Sequence, residues 1–257
     1  MMTQAIQMTQ EFILETRGLS KEFLGFNAVS DVNLRIRRGS IHALIGPNGA
    51  GKTTVFNLLT KFHSPSLGNI FFNGADITGE NQIQVARRGM IRSFQISATF
   101  SHLTVMENVR VALQRTRADA FNFWSSEKRL NVLNDRAMEL LAEVDLAEFA
   151  DTVTVEMPYG RKRALEIATT LALNPDLMLL DEPTQGMGHE DVGRIVELIR
   201  KVSANRTILM VEHNLSVVES LCNTITVLQR GSVLAEGDYA TVSKDPRVLE
   251  AYVGVEV

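Results

Sequence analysis

The segment Gly46-Pro47-Asn48-Gly49-Ala50-Gly51-Lys52-Thr53 constrains this chain more than any other, because it fits the pattern G-x-x-x-x-G-K-[ST]. Its flanks fit as well. Before it, Ser40-Ile41-His42-Ala43-Leu44-Ile45 is a nearly continuous apolar run, which suits a strand buried on both faces of a partly parallel sheet. After it, a helix is expected to begin at Lys52 and to carry Val55, Phe56, Leu58 and Leu59 inward. Glycines let successive backbone N–H groups converge on phosphate oxygens with no Cβ in the way, and the helix N-terminus adds a favourable dipole. The expectation is a phosphate cradle formed by Asn48, Gly49, Ala50, Gly51, Lys52, Thr53 and Thr54. In it Lys52 supplies a point charge and the Thr53 hydroxyl is placed for Mg²⁺.

Far downstream, Leu177-Met178-Leu179-Leu180-Asp181-Glu182 reads as an apolar strand ending in two carboxylates. Alone, such an ending is as well explained by a capped strand with solvated acids. Beside a phosphate cradle, Asp181 is placed to hold the metal ion through a water, and Glu182 to orient and deprotonate an attacking water.

Between these motifs the chain alternates in character. Short strands are expected at Glu11–Glu15 and Asp31–Ile36, with a turn at Arg38-Gly39 and a hairpin turn at Phe71-Phe72-Asn73-Gly74. From about Phe100 to Ala172 the pattern turns helical, at Glu107–Leu113 and Glu127–Val144, the latter with Leu130, Leu133, Met138, Leu141 and Val144 as its apolar stripe. A polar stretch from Arg115 to Ser126 separates the two. Strands return at 177–180, 207–211 and 224–228, alternating with helices at Asp191–Val202 and Leu215–Leu221, which argues for parallel βαβ units. The reading is therefore an α/β core with an inserted helical subdomain.

Composition narrows the setting. The 257 residues are 45% hydrophobic and 22% charged, which is the balance of a globular chain rather than a disordered one. A net charge of −4 argues against a surface that coats nucleic acid. No apolar run approaches the length of a membrane helix, and Met1–Gln10 lacks the basic start and apolar middle of a signal peptide. Work at a membrane would therefore proceed through a partner. The single cysteine, Cys222, has no internal disulfide partner and reads as a buried small residue of a reducing compartment.

Together these motifs resemble the ATP-binding-cassette family over nearly the whole chain. The resemblance implies a RecA-like P-loop NTPase core with an N-terminal antiparallel β subdomain, about 11–95 and 173–257 forming the β-rich core and about 96–172 the helical subdomain. It implies ATP and Mg²⁺ as cofactors. Ser93-Phe94-Gln95 looks like the family's Q-loop, with Gln95 meeting the metal ion and the attacking water. Glu212-His213 looks like the switch histidine, 31 positions beyond Glu182, with His213 helping to polarise that water. Phe23 holds the place of the aromatic that stacks on adenine.

The family's signature departs here. Where members carry Leu-Ser-Gly-Gly-Gln, this chain has Met157-Pro158-Tyr159-Gly160-Arg161. Pro158 removes the serine hydroxyl; Pro158, Tyr159, Gly160 and Arg161 are expected to face, in trans, the ATP held by a second cassette subunit. Gly188 stands where an aspartate usually meets that subunit. Leu165-Glu166-Ile167-Ala168, Gly186-Met187, Val211-Glu212-His213-Asn214 and the tail from Gly237 to Gly254 resemble the branch that imports branched-chain amino acids, amides or urea. That implies transmembrane permease subunits, an external substrate-binding protein, a place on the cytoplasmic membrane face and no nucleic-acid partner. Exporter or lipid-transport cassettes share the same core and stay open as alternatives, as do cassette ATPases that work outside transport.

Overall fold

The computed structural model describes residues 11–93, 99–115 and 132–253. The chain divides into two compact units, one formed by Met1–Met90, Asp176–Glu182 and Ser203–Val257, the other by Ile91–Pro175 and Pro183–Val202.

In the first unit, β1 (Phe12–Phe23) pairs antiparallel with β2 (Phe26–Val32), β3 (Arg35–Arg37) and β5 (Leu67–Phe72), and β5 turns at Asn73-Gly74 into β6 (Ala75–Asp76). The sequence suggested a strand of five residues at 11–15 and a single strand at 31–36; both differ here. β1 is 12 residues long, running through the polar Thr16–Phe23 and changing partner from β5 to β2 across a register shift near Ser20. The second strand is broken at Asn33-Leu34. Thr16 bridges the break: its hydroxyl donates to Val32 O at 2.9 Å and accepts from Leu34 N–H at 2.8 Å.

The second sheet carries the site. Its six strands run β11 (Ser232–Gly237), β10 (Thr224–Gln229), β4 (Ile41–Ile45), β9 (Thr207–Val211), β8 (Leu177–Asp181) and β7 (Met90–Ser93). From β10 to β8 the neighbours are parallel, and β11 is antiparallel to β10. β4, β8 and β9 are buried at all five positions each, as expected for strands covered on both faces. α1 (Lys52–Leu59) leaves the end of β4 and buries Val55, Phe56, Leu58 and Leu59. These join Leu14, Ile36, Phe72, Leu177 and Leu209 in one core spanning both sheets. α2 (Gln82–Arg87) starts on an Asn81–Gln84 capping box, and β7 (Met90–Ser93) carries the chain out of this unit.

The second unit is helical. α3 (Val105–Gln114) starts on a Thr104–Glu107 capping box, and α4 (Asn134–Glu143) and α5 (Tyr159–Leu171) pack with it. The apolar face of α4 is Ala137, Leu140 and Leu141, followed by Val144; Met138, expected in that stripe, is exposed because it falls one residue past the face. Leu130 lies outside the described residues. α6 (His189–Ser203) buries Ile195, Leu198, Ile199 and Val202. Residues 183–202, which the sequence reading left with the 173–257 core, group with the helical unit. α7 (Leu215–Leu221), α8 (Tyr239–Val242) and α9 (Pro246–Val253) belong to the first unit.

One polar chain lies inside the parallel sheet. His42 of β4 is 1% exposed, and its Nε2 is 2.7 Å from Thr226 Oγ1 on β10. The Thr226 hydroxyl donates to Glu236 Oε2 at 2.6 Å, so His42 Nε2–H donates to Thr226. Burial pushes the His42 pKa down to about 4. The folded pKa lies below the unfolded one, so this contribution to stability is intact above pH about 6.5 and is lost as pH falls toward 4. In urea titrations between pH 7 and 4.5, His42→Gln should remove roughly 2 kcal/mol of the wild-type loss over that interval.

Candidate nucleotide site

Because β4, β9 and β8 run parallel, their C-terminal ends open on one edge, where ligands of open α/β sheets bind. The loop from Gly46 to Gly51 leaves β4 at that edge. Gly46 has φ +146° and is pressed against β10: a Cβ there would lie 2.2 Å from Leu228 O. No other residue fits that position. The loop ends at Gly51 and α1 begins on Lys52, so the first-turn N–H groups of α1 face the space over the loop.

Lys52 is buried, and its Nζ donates to the carbonyls of Gly46 at 2.6 Å and Pro47 at 2.9 Å. Burial lowers its pKa, while the charges of Glu182 and Asp181 oppose that. A cation is thus held under the loop beside two carboxylates. Thr53 is exposed in the first turn of α1.

Asp181, the last residue of β8, is 2% exposed. Glu182 follows in the left-handed region at φ +47°, its N–H donating to Val211 O at 2.9 Å. This conformation costs a non-glycine residue about 1 kcal/mol or more. It turns the Glu182 side chain off the strand, where Oε1 lies 3.0 Å from His213 Nε2. Together Phe26, Ala28, Asn48 to Thr54, Glu182 and His213 line a pocket of about 310 Å³.

The sequence reading passed over one residue of this cluster, Glu212. It is 2% exposed, and its Oε2 accepts the N–H groups of His213 at 2.8 Å and Asn214 at 3.1 Å. Asn214 then caps α7 by accepting from Ser216 N–H. The buried carboxylate thereby fixes the turn that carries His213. Burial, and after it the Glu212 charge, push the Cys222 thiol up to about 12, in line with an inert buried cysteine. A buried acid after an apolar strand was the available signal, overshadowed by the histidine beside it.

Other expected positions are placed as follows. Phe23 ends β1 opposite Phe26, with its ring edge-on to His63 at 5.2 Å and Lys21 Nζ 5.1 Å from its centroid. It is not among the residues lining the pocket, whereas Phe26 is. Gln95 lies outside the described residues. In the helical unit Pro158 is the N-cap of α5. The Tyr159 hydroxyl donates to Gln185 O at 3.2 Å. At Gly160 a Cβ would lie 2.8 Å from the Asp191 carboxyl group, so a side chain there would require Asp191 to move aside. The Arg161 guanidinium stacks 3.8 Å from the Phe149 ring centroid, and Lys162 Nζ donates to Val155 O at 3.0 Å. Deeper in α5, Arg163 and Glu166 form a buried pair at 2.6 Å, and Arg163 Nε donates to Pro183 O at 3.2 Å.

A glycine loop with a buried lysine, an acid at the end of β8 and a histidine hydrogen-bonded to the next acid stand together at one edge of the sheet. On this fold they define a P-loop nucleoside triphosphatase. The chain belongs to the ABC transporter family: that family's profile matches residues 29–185, and a second, described as branched-chain amino acid ATP-binding cassette transporter, matches 232–257. It is accordingly an ATP-binding, ATP-hydrolysing subunit. The high-affinity branched-chain amino acid transport ATP-binding protein BraF of Pseudomonas aeruginosa is 36% identical over 249 residues, 94% of this chain and 98% of BraF. LivG of Escherichia coli, of the same description, is also 36% identical with the same coverage. Among solved structures, a nucleotide-free ATP-binding cassette from an ABC transporter superposes with a TM-score of 0.84 at 26% identity, over 94% of this chain and 98% of that one.

The Glu212 carboxylate provides a direct check on the turn. Glu212→Ala should take the charged acceptor away from the His213 and Asn214 N–H groups, lowering stability by about 2 kcal/mol and slowing turnover. Glu212→Gln, which keeps an acceptor oxygen, should recover most of both in thermal melts and phosphate-release assays.

Proposed function

We propose that this chain is the ATPase subunit of an importer for branched-chain amino acids or related amides. The observation that carries the chemistry is the pocket joining Lys52, Thr53, Glu182 and His213. The BraF and LivG relatives, and the match of the 232–257 tail, support the cargo class. In this reading Asn48 to Thr54 bind the phosphates through backbone N–H groups, and Lys52 turns from the loop carbonyls to the phosphate charge. Glu182 takes the proton of the attacking water, and His213, hydrogen-bonded to Glu182, holds that carboxylate in place and contacts the terminal phosphate. Gln95 completes the water site.

Magnesium fits the donors present. Among the described residues no group of three or more His, Cys, Asp or Glu side chains is placed to hold a metal. Mg²⁺ needs no such cage, taking one or two protein oxygens and completing its shell with phosphate and water. Thr53 and Asp181 would hold it, and its charge would neutralise the triphosphate.

The signature segment Pro158–Arg161 completes the site of a second cassette subunit in trans. With Pro158 offering no hydroxyl and Arg161 engaged by Phe149, the α5 N-terminus itself is left to face the phosphate. ATP thereby closes a head-to-tail pair of cassettes and hydrolysis opens it, which moves permease subunits fed by a substrate-binding protein. None of the described helices is long and apolar enough to cross a membrane, and the proposed position is the cytoplasmic face of the permease.

Glu182→Gln should cut ATP turnover at least about a hundredfold while leaving nucleotide binding in place. Sedimentation of that variant with ATP should show a dimer. Turnover at the wild-type rate removes Glu182 as base, and a monomer at saturating ATP removes the closed pair. For the base end of the pocket, Phe26→Ala and Phe23→Ala separate the two aromatics. Phe26 lines the pocket, and in this reading its loss should weaken ATP binding about tenfold, the size of one stacked ring. If Phe23→Ala alone weakens binding, Phe23 is the stacking residue.

A further inference from the structure

The turn between β10 and β11, at Arg230-Gly231, touches both walls of the nucleotide pocket although it lies some 180 positions along the chain from the phosphate loop. Gly231 N–H donates to Ala50 O in that loop at 3.0 Å, and Gly231 O accepts from Ser30 N–H of β2 at 2.8 Å. Ser232 Oγ adds a bond to Ser30 O at 3.2 Å. The three backbones meet with no space between them. A Cβ on Gly231 would lie 2.7 Å from Ala28 O, and a Cβ on Gly51 would lie 2.7 Å from the same oxygen. Gly231 also has φ +82°, and Arg230 before it φ +49°. Ala28 and Ala50 are themselves pocket-lining residues, so one peptide unit fixes the distance between the wall beside the nucleoside and the floor under the phosphates.

The other end of the loop is held from the same part of the chain. Gly46 is pressed against Leu228 O at the end of β10.

We propose that the β10–β11 turn is a brace that sets the geometry of the nucleotide pocket, with Gly231 as a positioning residue for ATP. Its effect reaches the nucleotide through Ala50 and Ala28 rather than by direct contact. The inference rests on the Gly46–Thr54 loop being the ATP site.

The test titrates the full-length chain with a fluorescent ribose-labelled ATP and measures KM and kcat for phosphate release. Gly231→Ala should push β2 off the loop and weaken nucleotide binding about tenfold or more, as misplacement of a binding group by a fraction of an ångström does. KM should rise while kcat at saturating ATP stays within about twofold of wild type. Ser232→Ala loses only the hydroxyl bond from the turn to Ser30 O, so it should fold normally and weaken binding about threefold. Gly79→Ala, in open space at ordinary backbone angles, is the control and should change nothing. Binding unchanged in a folded Gly231→Ala overturns the brace. Should Gly231→Ala not fold, unchanged binding by Ser232→Ala overturns it instead. Lys52→Ala separates the two readings: if it binds as wild type, the loop is not the ATP site, whereas loss in Lys52→Ala with none in the other two refutes the brace alone.

Discussion

Every chemical group at this site depends on the parallel hydrogen-bond ladder through β10, β4, β9 and β8. Parallel pairing sets Ile45, Val211 and Asp181 at the same edge, since Leu44 stands beside Val211 and Val211 beside Asp181. The loop, the histidine turn and the acidic pair are then neighbours without any being adjacent in sequence. The Glu182 N–H bond to Val211 O extends the ladder one residue beyond the strand. An antiparallel β9 would send its turn to the far edge and separate His213 from Glu182. The site is therefore a property of strand direction before it is a property of side chains.

Much of this was legible. The apolar runs at 41–45, 177–181 and 207–211 are buried on both faces, and such strands advertise themselves by composition alone. The glycine loop and the paired acids are local patterns and were readable for the same reason. β1 was less so: Thr16–Phe23 is polar and contains Gly18, and its order comes from pairing with β2 and, some 50 residues on, with β5, and from bonds such as the Asn33 oxygen accepting from Gly18 N–H. Met138 shows the limit of helix periodicity, since a residue one step off the face looks much like one on it. Glu212 and Gly231 escaped because neither carries chemistry of its own. Glu212 only holds the backbone of the two residues after it, and Gly231 contacts backbone far off in the chain, which no local pattern encodes.

The helical unit uses its charges differently. The basic start of α5 invites a reading as free positive charge, yet Arg161 lies on Phe149 and Lys162 on Val155 O. Arg163 is deeper still, paired with Glu166 and bound to Pro183 O. Burial pushes the Glu166 carboxyl upward and the guanidinium opposes it. Removing either partner would leave a buried charge uncompensated, a costlier change than loss of a surface pair. The register of α5 against the 183–185 segment is fixed by the Arg163 bond to Pro183 O and by the Tyr159 bond to Gln185 O.

The backbone of Glu182 holds a tension that selection must maintain. At φ +47° a glycine or asparagine would sit more comfortably, and either would remove the carboxylate proposed as the proton acceptor. On that proposal stability and turnover pull this one position in opposite directions. A lineage released from the need to hydrolyse ATP would then drift there early, gaining stability as it lost activity. The proposed role is thus written in the backbone as well as in the side chain.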